Sequence, residues 1–494
     1  MKFLCKLLFL LPVGLFVEKT ACAQKNNAVD STSKFKIISA GPQYRRSGWH
    51  NFFFGKNYRK EWDTPVKLPV FLLDSVKGGL IPIKEGGGHQ TTSLHLETKD
   101  GKNYSLRSVD KRLGKVLPEY FKGTFIERMV NDEASMSNPY AAVTVPVMSQ
   151  SAGIYHINPE YVYLPEQEAL GGFDEKLGNK VYLFEQKPKG DWTNADNLGN
   201  FEKFYDTEEV MKKLHEESEN RVDQAAFVKA RLFDMLIGDW DRHDNQWKWG
   251  VRKNGATNIF EPVPEDRDQV YFKHDGVLIN LAISASGMHY MQSFKHRIQN
   301  TATLNYEERG LDRAFTNQLK LGDWQTAAKQ LQQSLRNNVI EDAVKKLPPE
   351  IFSISGNRII SDLQQRRDHL LEYATKYYLF ISRQVEVVGT TGPDYFDVKR
   401  LNDNETSVNL YSISKEGIKD DQPYYSRIFL TNETKEIRLF GLSGNDVFSA
   451  EGNVNKGIKI RIIGGYDKDS IIINSMVGHN TRTYIYDDAN GEKY

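Results

Sequence analysis

The stretch from Ile237 to Trp247 reads IGDWDRHDNQW, and it decides how the rest of the chain is interpreted. A helical pattern precedes it, and a second acidic run, EDRD at 265–268, follows. Burying carboxylates among Ile and Trp side chains is costly unless the carboxylates are paired or bind a ligand. The two clusters therefore predict chemistry with a metal ion or a phosphate, in which one acid serves as a base and another binds the cation.

The first 23 residues have the pattern of a secretory signal peptide. Lys2 and Lys6 give a positive start, Leu7 to Val17 form an apolar centre, and Ala21-Cys22-Ala23 is a small-residue cleavage pattern. We therefore expect an exported protein of the periplasm or the outer membrane, with exposure at the cell surface as a further option.

Composition narrows the classes of partner and of chemistry. Cys5 and Cys22 are the only cysteines, so after removal of the leader no disulfide or thiol chemistry remains. The chain has 65 basic and 65 acidic residues, which does not indicate a nucleic-acid partner. No later apolar run has the length of a membrane-spanning helix, so none is expected in the mature chain.

Hydrophobic periodicity predicts an α+β fold. Asp100-Gly101 between two alternating segments is a hairpin signal, helical patterns cover 123–153 and 207–237, and strand patterns return near the C-terminus. Four parts are expected: a polar lead over 24–65, a core over 66–300, a helical extension over 301–383 and an all-β domain over 384–494.

Aromatic and basic residues alternate between Trp49 and Trp62, where the sequence includes FFFGKNYR at 52–59. This pattern is typical of a segment that lies on a surface or docks the lead onto another element.

The order of predicted elements over residues 66–275 resembles that of atypical kinases: the phosphatidylinositol 4-kinases, the spore-coat CotH kinases and the secretory-pathway protein kinases. Those families carry a catalytic Asp in a D-R-H-like loop, a metal ligand about five residues later and a second Asp after a short hairpin. The resemblance implies a two-lobed kinase-like core with Asp241 as catalytic base. It also implies Gln246, Asp266 and Asp268 as metal ligands.

The same resemblance assigns a nucleotide-binding side, with ATP and Mg²⁺ or Mn²⁺ as cofactors. Gly86, Gly87 and Gly88 would bring backbone N–H groups to the phosphates, Arg107 would pair with a phosphate, and Asp132 or Glu133 would orient Arg107 from a helix. The chain departs from the kinase pattern in having Arg for Lys, Gln for the usual Asn or acid, and no complete G-x-G-x-x-G. The alternative is a turn at the glycines and a solvent-facing Arg107.

A second motif occurs near the C-terminus. GLSGNDVFS at 441–449 and GGYDKDSII at 464–472 approach the calcium-binding nonapeptide. Asp446, Asp467 and Asp469 are therefore candidate calcium ligands. The alternative is a pair of Gly-Asp turns that join the strands of a sandwich or a short solenoid.

The whole chain resembles exported proteins of Bacteroidota in which such a region precedes an outer-membrane β-barrel of the surface-antigen type. That resemblance implies an envelope location and outer-membrane protein partners. The leading function is metal-dependent phosphotransfer from a nucleotide to an unidentified acceptor. A catalytically inert binding or assembly module is the second hypothesis. Phosphoester hydrolysis is the third, although the sequence lacks the His-rich ligand set of a calcineurin-like site.

Overall fold

A computed structural model describes residues 34–86, 92–111 and 119–486. The expected signal peptide, Gly87 and Gly88 lie outside these residues. The predicted α+β class is confirmed, since helices and five sheets alternate along the described chain.

The first sheet and the helices beside it come from the polar lead. Strands β1 and β2 pair antiparallel, and two short helices lie between them. The bounds are β1 Phe35–Ile38, α1 Gly48–Phe54, α2 Arg59–Asp63 and β2 Val66–Pro69.

A five-stranded antiparallel sheet follows, in the spatial order β3-β4-β5-β7-β6. The hairpin predicted at Asp100-Gly101 is confirmed as the β4–β5 turn. Alternate residues such as Leu94, Leu96 and Leu106 bury one face of the sheet. The elements are β3 Leu80–Gly86, β4 Ser93–Thr98, β5 Asn103–Ser108, α3 Phe125–Asp132, α4 Val145–Ser151, β6 Glu160–Leu164, α5 Asp174–Leu177 and β7 Lys180–Gln186.

The central part of the chain contains the acidic stretch from Ile237 to Trp247. The helix predicted over 207–237 is broken into two by a short strand, because residues 220–222 pair in parallel with a strand of the later hairpin. The elements are β8 Phe204–Asp206, α6 Thr207–Glu216, β9 Asn220–Val222, α7 Gln224–Ile237, β10 Trp247–Asn254 and β11 Thr257–Pro264. The sheet order is β8-β10-β11-β9.

Helices occupy the range from Thr301 to Ile381, where the helical extension was expected, and one further helix precedes them. None of the helices in the described part of the chain is both long and apolar enough to span a bilayer. Their bounds are α8 Val277–Ser286, α9 Thr301–Leu304, α10 Arg309–Phe315, α11 Leu321–Ser334, α12 Asn337–Val344, α13 Pro349–Ile351, α14 Asn357–Asp368 and α15 Leu370–Ile381.

The last part is a short solenoid. One sheet, β12-β16-β18-β20, is parallel throughout, and the second, β15-β14-β13-β17-β19, is parallel from β13 to β19. The solenoid alternative is thus confirmed, with the β14–β15 pair extending the second sheet. The strands are β12 Gln384–Val388, β13 Asp394–Asn402, β14 Glu405–Ser412, β15 Tyr425–Leu430, β16 Glu436–Phe440, β17 Val447–Val454, β18 Lys459–Ile463, β19 Ser470–Val477 and β20 Thr483–Tyr486.

Candidate functional site

The site begins where helix α7 ends. Asp223 caps the start of α7 by accepting a hydrogen bond from the Ala226 N–H at 2.9 Å. Gly238 ends the helix with φ 73°, a left-handed conformation that glycine adopts without steric cost. The chain then turns into the loop 239–246, so the acidic residues of that loop emerge together from one helix end.

Arg242 fixes this loop from inside. Its buried guanidinium donates to Asp239 at 2.8 Å, to Asp234 at 3.1 Å and to the carbonyl oxygens of Gln246 at 3.2 Å and Glu265 at 2.5 Å. The loop and the end of hairpin β10–β11 are therefore held to each other by one side chain, and the Arg of the D-R-H sequence has a structural role.

Asp234 is the centre of the buried charge network. It lies between three guanidinium groups, those of Arg231 at 3.2 Å, Arg242 at 3.1 Å and Arg267 at 3.1 Å. Burial raises the pKa of Asp234, but the three cations outweigh burial and hold it below the ordinary value. The network connects α7, the loop and the second acidic run.

Asp241 lies beside the second acidic run. Burial is the main reason that the pKa of its carboxyl is raised to about 8; Lys111 opposes the rise, and the charges of Asp268, Asp239 and Asp266 contribute to it. Asp241 is therefore close enough to the second acidic run for its charges to affect the pKa of Asp241.

Only one of the two carboxylate oxygens of Asp266 accepts a hydrogen bond. Its Oδ2 accepts a hydrogen bond from the Arg107 guanidinium, whereas its Oδ1 is buried and has no hydrogen-bond partner. Burial raises the pKa of Asp266, but Arg107 and Lys111 outweigh it and keep the carboxyl ionised. Asp268 pairs with Lys111 at 2.8 Å.

Gln246 lies at the base of the hairpin, opposite Glu265. The Glu265 N–H donates to the Gln246 backbone carbonyl at 2.9 Å, which places Gln246 next to the residue before Asp266. The side-chain Oε1 of Gln246 is buried and has no hydrogen-bond partner. Leaving a buried oxygen unpaired costs about 1–3 kcal/mol, so the unpaired oxygens of Gln246 and Asp266 each need a reason.

The expected partner of Arg107 is corrected. Arg107 lies 3.5 Å from Glu185 on β7 and pairs with Asp266, not with Asp132 or Glu133. Asp132 instead accepts from Arg59 at 2.6 and 2.8 Å, because the end of α3 faces the lead of the chain. Glu133 is enclosed next to Asp132, and burial raises its pKa.

Sequence reasoning missed Glu185 and Lys111. Glu185 sits on the neighbouring strand β7 with a pKa that burial raises to about 8, and only the strand order reveals that it faces Arg107. Lys111 lies just after β5, and its position three residues beyond the end of the strand was a signal available in the sequence.

Gly86, the described member of the glycine run, ends β3 next to His95. A Cβ on Gly86 would overlap the His95 imidazole, so close packing accounts for this glycine. The pKa of His95 is lowered first by burial and then by four cations around it. These are Lys187, Lys84, Lys189 and Arg107. The end of the sheet that faces the site is therefore electropositive.

The three candidate calcium ligands bond to neighbouring coils of the solenoid. The Asp446 N–H donates to Asp469 Oδ1 at 2.9 Å, the Gly444 N–H to Asp467 Oδ2 at 3.0 Å, and the Asp394 N–H to Asp446 Oδ1 at 2.8 Å. This is the arrangement expected of Gly-Asp turns that join strands. Across residues 34–86, 92–111 and 119–486, no group of three or more His, Cys, Asp or Glu side chains is placed to hold a metal ion.

No protein-family model and no curated protein matches the chain. Among solved structures, the proinflammatory kinase CtkA of Helicobacter pylori is similar with a TM-score of 0.31 and 14% identity, over 60% of this chain and 94% of that chain. HipA in the toxin–antitoxin complex of Shewanella oneidensis gives a TM-score of 0.26 and 10% identity, with 71% and 76% covered. The Rio2 kinase of Chaetomium thermophilum gives 0.23 and 10%, with 58% and 70% covered. At these scores, function is inferred from the site residues alone.

Proposed function

We propose that the core is a kinase-like phosphotransferase that uses a divalent cation and a nucleotide to phosphorylate an unidentified acceptor. The observation that carries this proposal is the pair of buried oxygens without partners, Asp266 Oδ1 and Gln246 Oε1. A carboxylate and an amide oxygen are donors that Mg²⁺ and Mn²⁺ accept. Both oxygens are therefore of the type that binds a divalent ion.

Asp266 and Gln246, with Asp268 beside them, would hold the ion. When bound, it would neutralise and orient nucleotide phosphates. Mg²⁺ is commonly held by only one or two carboxylates together with phosphates and water, so the absence of a larger ligand cluster among the described residues is compatible with this role.

The chain's own residues supply the remaining parts. Arg107 and Lys111 provide positive charge next to the phosphates, and the electropositive end of the five-stranded sheet extends that field. Asp241, in its ionised form, would accept the proton of the acceptor hydroxyl, and its raised pKa makes that form a stronger base. We further propose export to the bacterial envelope, on the strength of the leader pattern in residues 1–23.

One observation favours the second candidate, an inert binding module. The Arg107 guanidinium bonds to the very carboxylate that would bind the ion. If that ion pair persists with nucleotide present, Asp266 is only partly available to a metal, and the site would bind phosphate without transferring it.

The discriminating experiment is thermal unfolding with Mg²⁺ and ATP, added separately and together. The wild-type Tm should rise only when both ligands are present, because the ion is expected to bind together with the nucleotide phosphates. Binding to the folded state stabilises it by about 2.7 kcal/mol when the free ligand concentration is a hundred times Kd. Asp266→Asn should lose this rise. Asp244→Asn, a change on an exposed side chain of the same loop, is the matched control and should keep it.

The same samples separate transfer from binding. Release of ADP from Mg²⁺–ATP, with the terminal phosphate passing to a hydroxyl of the protein itself or to water, supports phosphotransfer if Asp241→Asn abolishes it. A Tm rise without any ADP supports the inert module, and an unchanged wild-type Tm refutes both.

A further inference from the structure

Helices α1 and α8 pack together outside the candidate site, although more than two hundred residues separate them. The Asn57 N–H donates to Asp275 Oδ1 at 3.0 Å, which ties the end of α1 to the start of α8. Gly276 lies directly against the backbone of Phe54 and Gly55, where any Cβ would overlap. The relative position of the two helices is therefore fixed by backbone contacts.

Both helices present large apolar side chains to solvent. Trp49 is 78% exposed and Leu281 61% exposed, and three more such residues accompany them. We name the set the docking face: Trp49, Phe52, Phe53, Val277 and Leu281. Removing apolar surface from water is favourable by about 25 cal/mol per Å². Five exposed apolar residues on one pair of helices therefore indicate a surface that a binding partner covers.

The charged side chains on the two segments that carry the docking face have one sign. Every charged residue from 34 to 60 is basic, and α8 has no charged residue at all. Arg45, Lys56 and Lys60 are exposed along the lead. The acids that contact these segments are already paired: Asp132 with His50 at 2.9 Å and Arg46 at 3.1 Å, Asp63 with Arg45 at 3.0 Å, and Asp275 with Lys273 at 3.0 Å.

We propose that the docking face binds a membrane surface that contains anionic phospholipids. Trp and Phe side chains would enter the headgroup region, while Lys and Arg would contact the phosphates. A two-fold pairing of two copies through this face is disfavoured, because it would bring the same cations together. The inference does not depend on the proposed phosphotransfer.

The test is flotation of the full chain with vesicles of phosphatidylglycerol and phosphatidylcholine, and with vesicles of phosphatidylcholine alone. The chain should float with the anionic vesicles and dissociate as salt is raised. Trp49→Ser combined with Phe52→Ser should reduce the bound-to-free ratio about ten-fold or more. Lys56→Glu combined with Lys60→Glu should remove the preference for anionic vesicles.

The matched control is Ile418→Ser combined with Tyr466→Ser, two exposed apolar residues of the β-domain, and it should float like the wild type. Residues 1–33 are identical in all variants, so their own affinity for lipid cancels in the comparison. Equal flotation of the Trp49 variant and the control would overturn the proposal. A concentration-dependent dimer that the Trp49 variant loses, without vesicle binding, would assign the face to self-association.

Discussion

The core and the β-domain use aspartate in opposite ways. In the core, Asp266 lies against Arg107 and near Lys111, and these cations keep its pKa below the ordinary value. In the β-domain, Asp446 is surrounded by other carboxyl groups, and burial together with Asp394 and Asp469 raises its pKa to about 9. One carboxyl is therefore ionised at neutral pH, and the other is neutral.

This difference separates a candidate site from a structural motif. Both acids belong to stretches that suggest metal binding in the sequence, the acidic run EDRD at 265–268 and the glycine-rich GLSGNDVFS at 441–449. Both Asp266 and Asp446 have one buried oxygen without a hydrogen-bond partner, but only the ionised carboxylate of Asp266 can bind a divalent cation without first losing a proton. The surrounding charges, which come from distant parts of the chain, decide between the two roles.

The largest expected effect concerns the buried network of Asp234 and three arginines in the core. Asp234→Ala leaves three buried guanidinium groups without their common partner, so the free energy of unfolding should fall by about 3–5 kcal/mol. Urea denaturation measures it, with Asp244→Ala as the control on an exposed side chain. A loss below about 1 kcal/mol would show that the network is not coupled to folding.

A smaller effect tests the neutral carboxyl of the β-domain. Because folding raises the pKa of Asp446, its contribution to stability is greatest below the ordinary pKa of Asp and is lost as pH rises towards about 9. Asp446→Asn cannot ionise, so its stability relative to wild type should improve between pH 5 and pH 9, by about 1–3 kcal/mol. Unfolding curves at several pH values measure the difference. A constant difference, or a wild-type Tm that rises with Ca²⁺ but not Mg²⁺, would restore the calcium interpretation.

The smallest effect concerns a single turn of the solenoid. Asp467 has φ 78° and accepts the Gly444 N–H, and the equivalent positions of the other turns are Gly392 and Gly444. Asp467→Gly relieves the backbone and should be more stable than Asp467→Ala by about 1 kcal/mol. Thermal unfolding of the two variants measures this, and equal stabilities would mean that the conformation at 467 carries no strain.

Local pattern was enough to find the acids of the core. The helix before Gly238, the loop with Asp241 and the hairpin before Asp266 all follow from adjacent sequence, and the structure brings these residues together. The partners of Arg107 were not predictable in this way. Glu185 faces Arg107 only through the pairing of β5 with β7, and Asp132 is taken by Arg59 from the lead.

The sequence predicted only some of the turns of the solenoid. The turns that begin at Gly441 and Gly464 were recognised, but the equivalent turn from Gly389 to Asp394 was not. The β14–β15 strands are inserted between the first turn and the second, so the spacing of 23 residues that relates the later coils is absent there. A search for G-x-x-G-x-D alone would have found Asp394.

The most direct test of the central claim is the crystal structure of the protein with Mn²⁺ and a non-hydrolysable ATP analogue, using the anomalous signal of manganese to place the ion. We expect manganese bound by Asp266 Oδ1 and Gln246 Oε1, next to the nucleotide phosphates, with Asp241 facing the terminal phosphate. Manganese elsewhere, or no manganese while Arg107 stays on Asp266, would contradict the account.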